Sequence, residues 1–346
     1  MYGEFYKLSG KPFQLSPNPK FFYGSTGHQK ALAYLQYGLH QGEGFIVITG
    51  DIGTGKTTLL GHLLSQLDSN KYVAAKLVTT QLEADDTLRM VAATFGIDTR
   101  NVDKATLLRN LERFIVDNLR RGRRILVVVD EVQNLPLKSI EELRMLSNFQ
   151  VNDVNAVQFL LTGQPQFRDI LAIDDLVQLR QRVVVTYHLG PLSVEETRAY
   201  IEHRLQMVGW RSDPVITDSA HRRIHYFSAG VPRQINVLCD RLFLCGMLED
   251  LHEINESVVD TVAGEMSSEG MRPPRGGAYG GGGNGQSLAS DLNGAAAIFE
   301  ERLASLEKLV KVHDRTIRRA IELTAAYLNR SPKVGEDEVS ASDVSA

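Results

Sequence analysis

One stretch of eight residues constrains this chain more than any other: Gly50-Asp51-Ile52-Gly53-Thr54-Gly55-Lys56-Thr57. It sits between an apolar run, FIVIT, and a helical pattern, TLLGHLLSQL. It satisfies GxxxxGK[ST] at every position. The glycines let the backbone curl until successive N–H groups face one point, and the N-terminus of the next helix adds partial positive charge there. Such a turn cradles phosphate when a strand enters it and a helix leaves it, the order found here. The chain must therefore build an α/β sheet with this turn at the carboxyl end of a strand. Lys56 is expected to reach the β- and γ-phosphates of a nucleotide, and Thr57 to ligate Mg²⁺. Thr58, next in the same helical turn, belongs with the nucleotide-binding residues.

A phosphate cradle needs an acidic partner. Ile125 to Val129 is a continuous apolar run, as expected of a central parallel strand buried on both faces, and it ends in Asp130-Glu131. Asp130 is expected in the metal shell and Glu131 beside an attacking water. Two acids at this place imply hydrolysis as well as binding. A further strand ends in Leu161-Thr162-Gly163-Gln164. Thr162 or Gln164 could orient the water or contact the γ-phosphate, or Thr162 could be a structural hydroxyl at a strand end. Arg182 precedes the apolar run Val183 to Leu189. It is read either as a surface ion-pair residue or as an arginine finger entering a neighbour's site, with Arg180 in reserve. Arg233, in Gly230-Val231-Pro232-Arg233, opens a helix from which it can reach back over the phosphates.

The organisation of the 346 residues follows the same logic. Candidate strands at 44–49, 72–78, 125–130, 157–161 and 183–189 alternate with helical patterns, which argues for a parallel sheet covered by helices. Residues 1–190 are expected to form this α/β domain. Residues 191–266 read as consecutive helices without a convincing strand, one opening at Ser193 in capping-box style. Residues 267–290 are so rich in Gly and Ser that a flexible linker is expected. Residues 291–330 regain a helical pattern, with Leu303, Leu306, Val310, Ile317 and Ala320 on a three-four spacing that His313 interrupts. That pattern fits a short coiled coil, a partner-binding helix or a solvated helix. Residues 331–346 are polar and acidic and are expected to be disordered.

Composition excludes several classes. With 38 Lys+Arg against 42 Asp+Glu the chain is not a basic nucleic-acid binder as a whole. Cys239 and Cys245 cannot make a secreted disulfide framework and read as core residues of a helix. The sequence MYGEFYKLSGKPF lacks the pattern of a signal peptide, and no apolar run reaches the ~20 residues of a membrane helix. The expectation is a cytoplasmic protein, with peripheral attachment at the inner membrane through a partner left open.

Together these motifs resemble the AAA+ ATPases. The opening stretch, with Pro12-Phe13, Pro17-Asn18-Pro19, Phe21, His28 and Gly44-Phe45, is similar to the lead-in of ExeA/GspA-type secretion ATPases, as are DEVQNLP and LLTGQPQFRDIL. The resemblance covers residues 1 to about 266. Within that family the chain most resembles the secretion ATPases found with exosortase (PEP-CTERM) and exopolysaccharide loci. It implies ATP and Mg²⁺ as cofactors, a homo-oligomer (ring or filament), and an envelope-secretion partner met through the C-terminal helix. It also implies a sensor role for Thr162 or Gln164 and for Arg233, and a lead-in that helps enclose the adenine. For Phe13, a packing clamp is an equal reading. The family often continues into a membrane helix and a peptidoglycan-binding domain, and this chain has a Gly-rich stretch and a short helix there. The alternative function is a DNA-binding AAA+ regulator of the transposition type, in which Arg120-Arg121-Gly122-Arg123-Arg124 and Arg318-Arg319 would touch phosphates, unless they are solvated faces.

Overall fold

The computed structural model describes residues 2–78, 84–151 and 154–269. Five strands form one parallel sheet: β1 (Phe45–Gly50), β2 (Tyr72–Val78), β3 (Arg124–Asp130), β4 (Val157–Gly163) and β5 (Val183–Leu189). Their order across the sheet is β2-β3-β4-β1-β5. These are the five strands expected from the sequence, each within one or two residues of its expected ends. β1, β3 and β4 are buried along nearly their whole length. That burial is why they read as unbroken apolar runs and lack alternation.

Side-chain alternation divides the core in two. Phe45, Val47, Val127, Val129, Phe159 and Leu161 face one side, under helices α3 (Ala84–Thr94), α4 (Lys104–Arg120), α5 (Leu137–Ser147) and α6 (Gln166–Ala172). Ile46, Ile48, Leu126, Val128 and Leu160 face the other, under α1 (Thr26–Gln41) and α2 (Lys56–Gln66). α1 starts on a Ser25 cap and ends on Gly42 at φ +75°, a conformation that favours glycine. It lies so close to β1 that a Cβ on Gly38 would stand 2.6 Å from Ile46 Cδ1.

The third core belongs to a helical lid of α7 (Val194–Gln206), α8 (Asp218–Ser228), α9 (Pro232–Leu248) and α10 (Glu256–Ser268). The capping box expected at Ser193 is present, with Glu196 reciprocating. One feature went unseen in the sequence. Val215–Ile216 pairs in parallel with Glu253–Ile254, and two-residue strands leave no periodic signal. Both cysteines lie on α9; burial pushes both thiols up, Cys245 to about 11, so neither is a reactive thiolate. α10 runs to Ser268, just past the start of the expected linker, because Ala263 and Met266 still bury against the lid. The rest of that linker, the helix at 291–330, Arg318-Arg319 and the tail lie outside the described residues.

The N-terminal segment departs from its grouping with the α/β domain. Tyr2, Tyr6 and Phe13 are buried in the lid core. The Tyr2 hydroxyl donates to Asp240 Oδ1 at 2.5 Å and the Tyr6 hydroxyl to the Leu251 carbonyl at 2.9 Å. Phe13 is 1% exposed and packs edge-on to Phe243, with ring centres 5.3 Å apart. Arg204 of α7 fastens the same segment by donating to the carbonyls of Pro12 and Gln14. Of the two readings of Phe13, the contacts are those of the packing clamp. Replacing it with Ala should cost about 3 kcal/mol in lost burial and residual cavity, measured by urea unfolding.

Candidate functional site

The loop at 50–57 leaves β1 at its carboxyl end and runs into α2, whose N-cap, Gly55, offers no side chain to its first N–H groups. Those donors are left to face whatever sits in the curl. Gly53 and Gly55 hold φ of +89° and +100°. A Cβ on Gly53 would stand 2.5 Å from Arg233 Cβ, and one on Gly55 would stand 2.8 Å from His28 Nε2. Lys56 Nζ donates to the carbonyls of Gly50 and Asp51 at 2.7 and 2.9 Å, so the loop's own backbone holds the ammonium at its centre. Burial lowers its pKa, while Glu131, Asp130 and Asp51 pull the other way. The Thr54 hydroxyl ties the curl to the Asp51 carbonyl at 2.9 Å. Ile52 stands exposed at the rim.

Register explains the acidic side. β4 lies between β1 and β3, and Ile48 pairs with Thr162 while Val129 pairs with Leu161. Thr162 therefore arrives beside Asp130 and donates to its Oδ1 at 2.7 Å. Oδ2 accepts the Thr57 hydroxyl at 3.0 Å and lies 3.2 Å from Lys76 Nζ. Burial works to raise the Asp130 pKa, but the Thr162 hydroxyl, Lys76 and the Thr57 hydroxyl outweigh it and hold the carboxyl below its ordinary range. An ionised carboxylate beside a hydroxyl, both hard oxygen donors, fits Mg²⁺, and the glycine curl with its lysine fits phosphate. Thr57, Asp130 and Lys56 would hold that pair.

Glu131 sits at φ +56°, which costs a non-glycine residue on the order of 1 kcal/mol. Its Oε2 accepts from Gln133 Nε2 at 2.6 Å and from Gln164 Nε2 at 3.3 Å, while Gln133 Oε1 accepts the Gln164 N–H at 3.0 Å. Gln164 thus stands beside the glutamate, and Thr162 beside the aspartate.

The lid closes the other side. Arg233 N–H donates to the Gly53 carbonyl at 3.2 Å, and the Arg233 side chain lines a cleft of about 970 Å³, open mouth included. Thr57, Thr58 and Glu131 form one wall, the lead-in from Gln14 to Asn18 with Phe21 to Tyr23 another, and Tyr200, Arg204 and Asn236 the lid wall. Phe13 is not in it. Arg182 is not part of this assembly. Val183 pairs with Phe45 at the amino ends of the strands, so Arg182 lies roughly 17 Å of strand away from the cradle. Its guanidinium donates to the Ser147 hydroxyl and is otherwise exposed. Arg180 donates to the carbonyls of Leu171 and Ala172, closing the end of α6.

Three contributors carried no motif of their own. Lys76 sits mid-strand in YVAAKLV, where a lone charge in an apolar run is the available signal. Gln133 is one of several polar residues after the acidic pair. Arg204 lies on the buried face of α7, stacked 4.8 Å over the Phe21 ring.

Residues 39–171 match the family model described as AAA domain. The chain is 38% identical over 268 residues to general secretion pathway protein A of Aeromonas hydrophila, a match covering 77% of this chain and 49% of the relative. The chain therefore spans about half the length of that protein. Solved structures of the same fold include Cdc6p of Pyrobaculum aerophilum, with a TM-score of 0.59, 13% identity and coverage of 75% and 71%. The ORC2 protein of Aeropyrum pernix has a TM-score of 0.55, 17% identity and 72% coverage of both chains. The parallel sheet with its P-loop is the AAA fold.

Two outcomes follow from this geometry. Gly53→Ala should keep the fold yet weaken nucleotide binding at least tenfold by calorimetry, because its Cβ displaces Arg233 or the loop. His28 donates stability of a pH-dependent kind. Burial holds its imidazole below the ordinary value, against upward pulls from a Thr54 backbone hydrogen bond and from Glu196. The unfolded chain therefore binds more protons below about pH 6.5, and stability falls as pH drops through that window. His28→Gln should make the fall in unfolding midpoint shallower without abolishing it, since burial also lowers His188, His203, His221 and His225.

Proposed function

We propose that this chain is a P-loop ATPase that hydrolyses ATP with Mg²⁺ inside a homo-oligomer and drives or gates an envelope export system for protein or exopolysaccharide. The observation that carries the export reading is the 38% identity to general secretion pathway protein A over 268 residues, 77% of this chain. Mg²⁺, when bound, would neutralise charge developing on the phosphates. Lys56 would bind the β- and γ-phosphate oxygens, and Arg233 would carry the state of the cleft to the lid. Glu131 would take the proton of a water oriented by its hydrogen-bonded neighbour Gln164. Thr162 would keep Asp130 ionised and aimed. Arg182, too far along the sheet to serve its own cradle, would serve the next protomer's.

The export reading places the chain on the cytoplasmic side of the inner membrane. Among the described residues no helix is long and apolar enough to cross a membrane. In the export reading a partner engages residues 291–330. The DNA-regulator reading gains little from the basic cluster at 120–124. Arg123 is half-buried with its Nε shielded from solvent, and the Arg124 guanidinium packs over Gly42.

Glu131→Gln should lower turnover at least ~100-fold while nucleotide binding persists, and Lys56→Ala should lose both. Arg182→Ala should be inactive alone. Mixed with Glu131→Gln it should regain part of the rate, because a site with an intact glutamate then meets an intact arginine. A mixture as inactive as its parts would remove the shared-site reading. In the host cell, Glu131→Gln at normal abundance should stop export, and unimpaired export of both protein and polysaccharide would overturn the pathway assignment.

A further inference from the structure

Lys76 is not explained by the fold. Val73 and Leu77 on the same strand pack into the core beneath α3, α4 and α5, so Lys76 turns to the opposite face, toward the phosphate-loop helix. Its ammonium ends 3.2 Å from Asp130 Oδ2, the same oxygen that accepts the Thr57 hydroxyl. The other oxygen, Oδ1, is engaged by Thr162. The aspartate side chain is 6% exposed and the lysine's 30%. An exposed ion pair of two mobile chains is worth little, but this carboxylate is buried and held by hydroxyls on both oxygens. A lysine brought to it must leave most of its water behind, which is costly unless the carboxylate needs a cation.

We propose that Lys76 is a tethered competitor for the divalent cation: it neutralises Asp130 in the metal-free site and sets the Mg²⁺ concentration at which nucleotide binds. The inference rests on the reading of Thr57 and Asp130 as the Mg²⁺ site. Mg²⁺ keeps most of its waters, and the Asp130 carboxylate, with Thr57, would hold it. The lysine ammonium sits 3.2 Å from the same carboxylate, carries the same sign of charge as the metal, and is tethered by its own strand. Two cations sharing one buried carboxylate repel by more than they would in water. The lysine must therefore swing away or be endured, and either weakens the metal.

The test is binding of a fluorescent ATP analogue by the full chain, titrated with MgCl₂ from an EDTA baseline. Lys76→Met keeps the stem and removes the charge, and Lys76→Gln is a second neutral variant should the first fold poorly. Lys76→Arg keeps the charge. Both neutral variants should lower the half-saturating Mg²⁺ about tenfold, equivalent to about 1.4 kcal/mol. Lys76→Arg should stay within about twofold of the parent. In EDTA without nucleotide, the neutral variants should melt lower than the parent, and added Mg²⁺ should close the gap. Neutral variants that fold but keep the parent midpoint would overturn the role of Lys76 alone. A parent protein whose nucleotide binding ignores Mg²⁺ would instead overturn the metal-site reading beneath it.

Discussion

The carboxylate of Asp130 is the junction on which the rest of the site depends. It takes a hydroxyl from the phosphate-loop helix, a hydroxyl from β4 and an ammonium from β2. Four elements are thereby fixed to one another at the carboxyl edge of the sheet. A buried carboxylate without such partners would protonate and lose its grip, so the three donors keep the charge and the charge keeps the geometry. The strand order makes this possible. Because β4 separates β1 from β3, the loop and the acid do not touch through neighbouring backbones and must meet through side chains.

From that junction the structure builds outward by close approach. The Gly53 carbonyl accepts from Arg233 at the start of α9, and the space a side chain would need at Gly53 is already filled by the lid arginine. Any change in the curl of the loop therefore bears directly on the first turn of a lid helix. The lead-in extends the same linkage. Tyr2, Tyr6 and Phe13 are part of the lid core, yet Gln14 to Asn18 form a wall of the cleft, and Arg204 joins the two by donating to the carbonyls of Pro12 and Gln14. Tyr2, Tyr6 and Phe13 thus pack with the lid, on the far side of a boundary drawn by composition at residue 190.

How much of this was legible follows from how each residue is recognised. Continuous apolar runs betrayed the buried strands, and the GxxxxGK[ST] spacing placed Lys56 and Thr57 because backbone curl, helix start and lysine reach are all local. The Ser193 cap was local too. Lys76 and Gln133 were not, since each acts across strands, and nothing near either in the chain says which carboxylate it will meet. Phe13 illustrates the middle case. Its sequence context allowed a wall of the cleft or a clamp on the lid, and only the partner ring of Phe243, some 230 residues away, distinguishes them. The short pairing of 215–216 with 253–254 shows the same limit in the backbone: two residues contribute hydrogen bonds but no period.

The position of Arg182 carries the argument beyond a single chain. The groups gathered at the carboxyl edge supply a cradle, a metal-binding acid and a second acid with a polar neighbour, and the lid supplies one arginine. The edge strand β5 carries Arg182 at the other end of the sheet, exposed, with its guanidinium donating to the Ser147 hydroxyl. A cation spent on a neutral hydroxyl at a surface gains little for folding. In the proposed oligomer it would face outward to the next copy, and each cleft would be completed by chemistry that its own fold points away from. Such an arrangement would make turnover depend on assembly, since a lone protomer would lack the charge that steadies the departing phosphate.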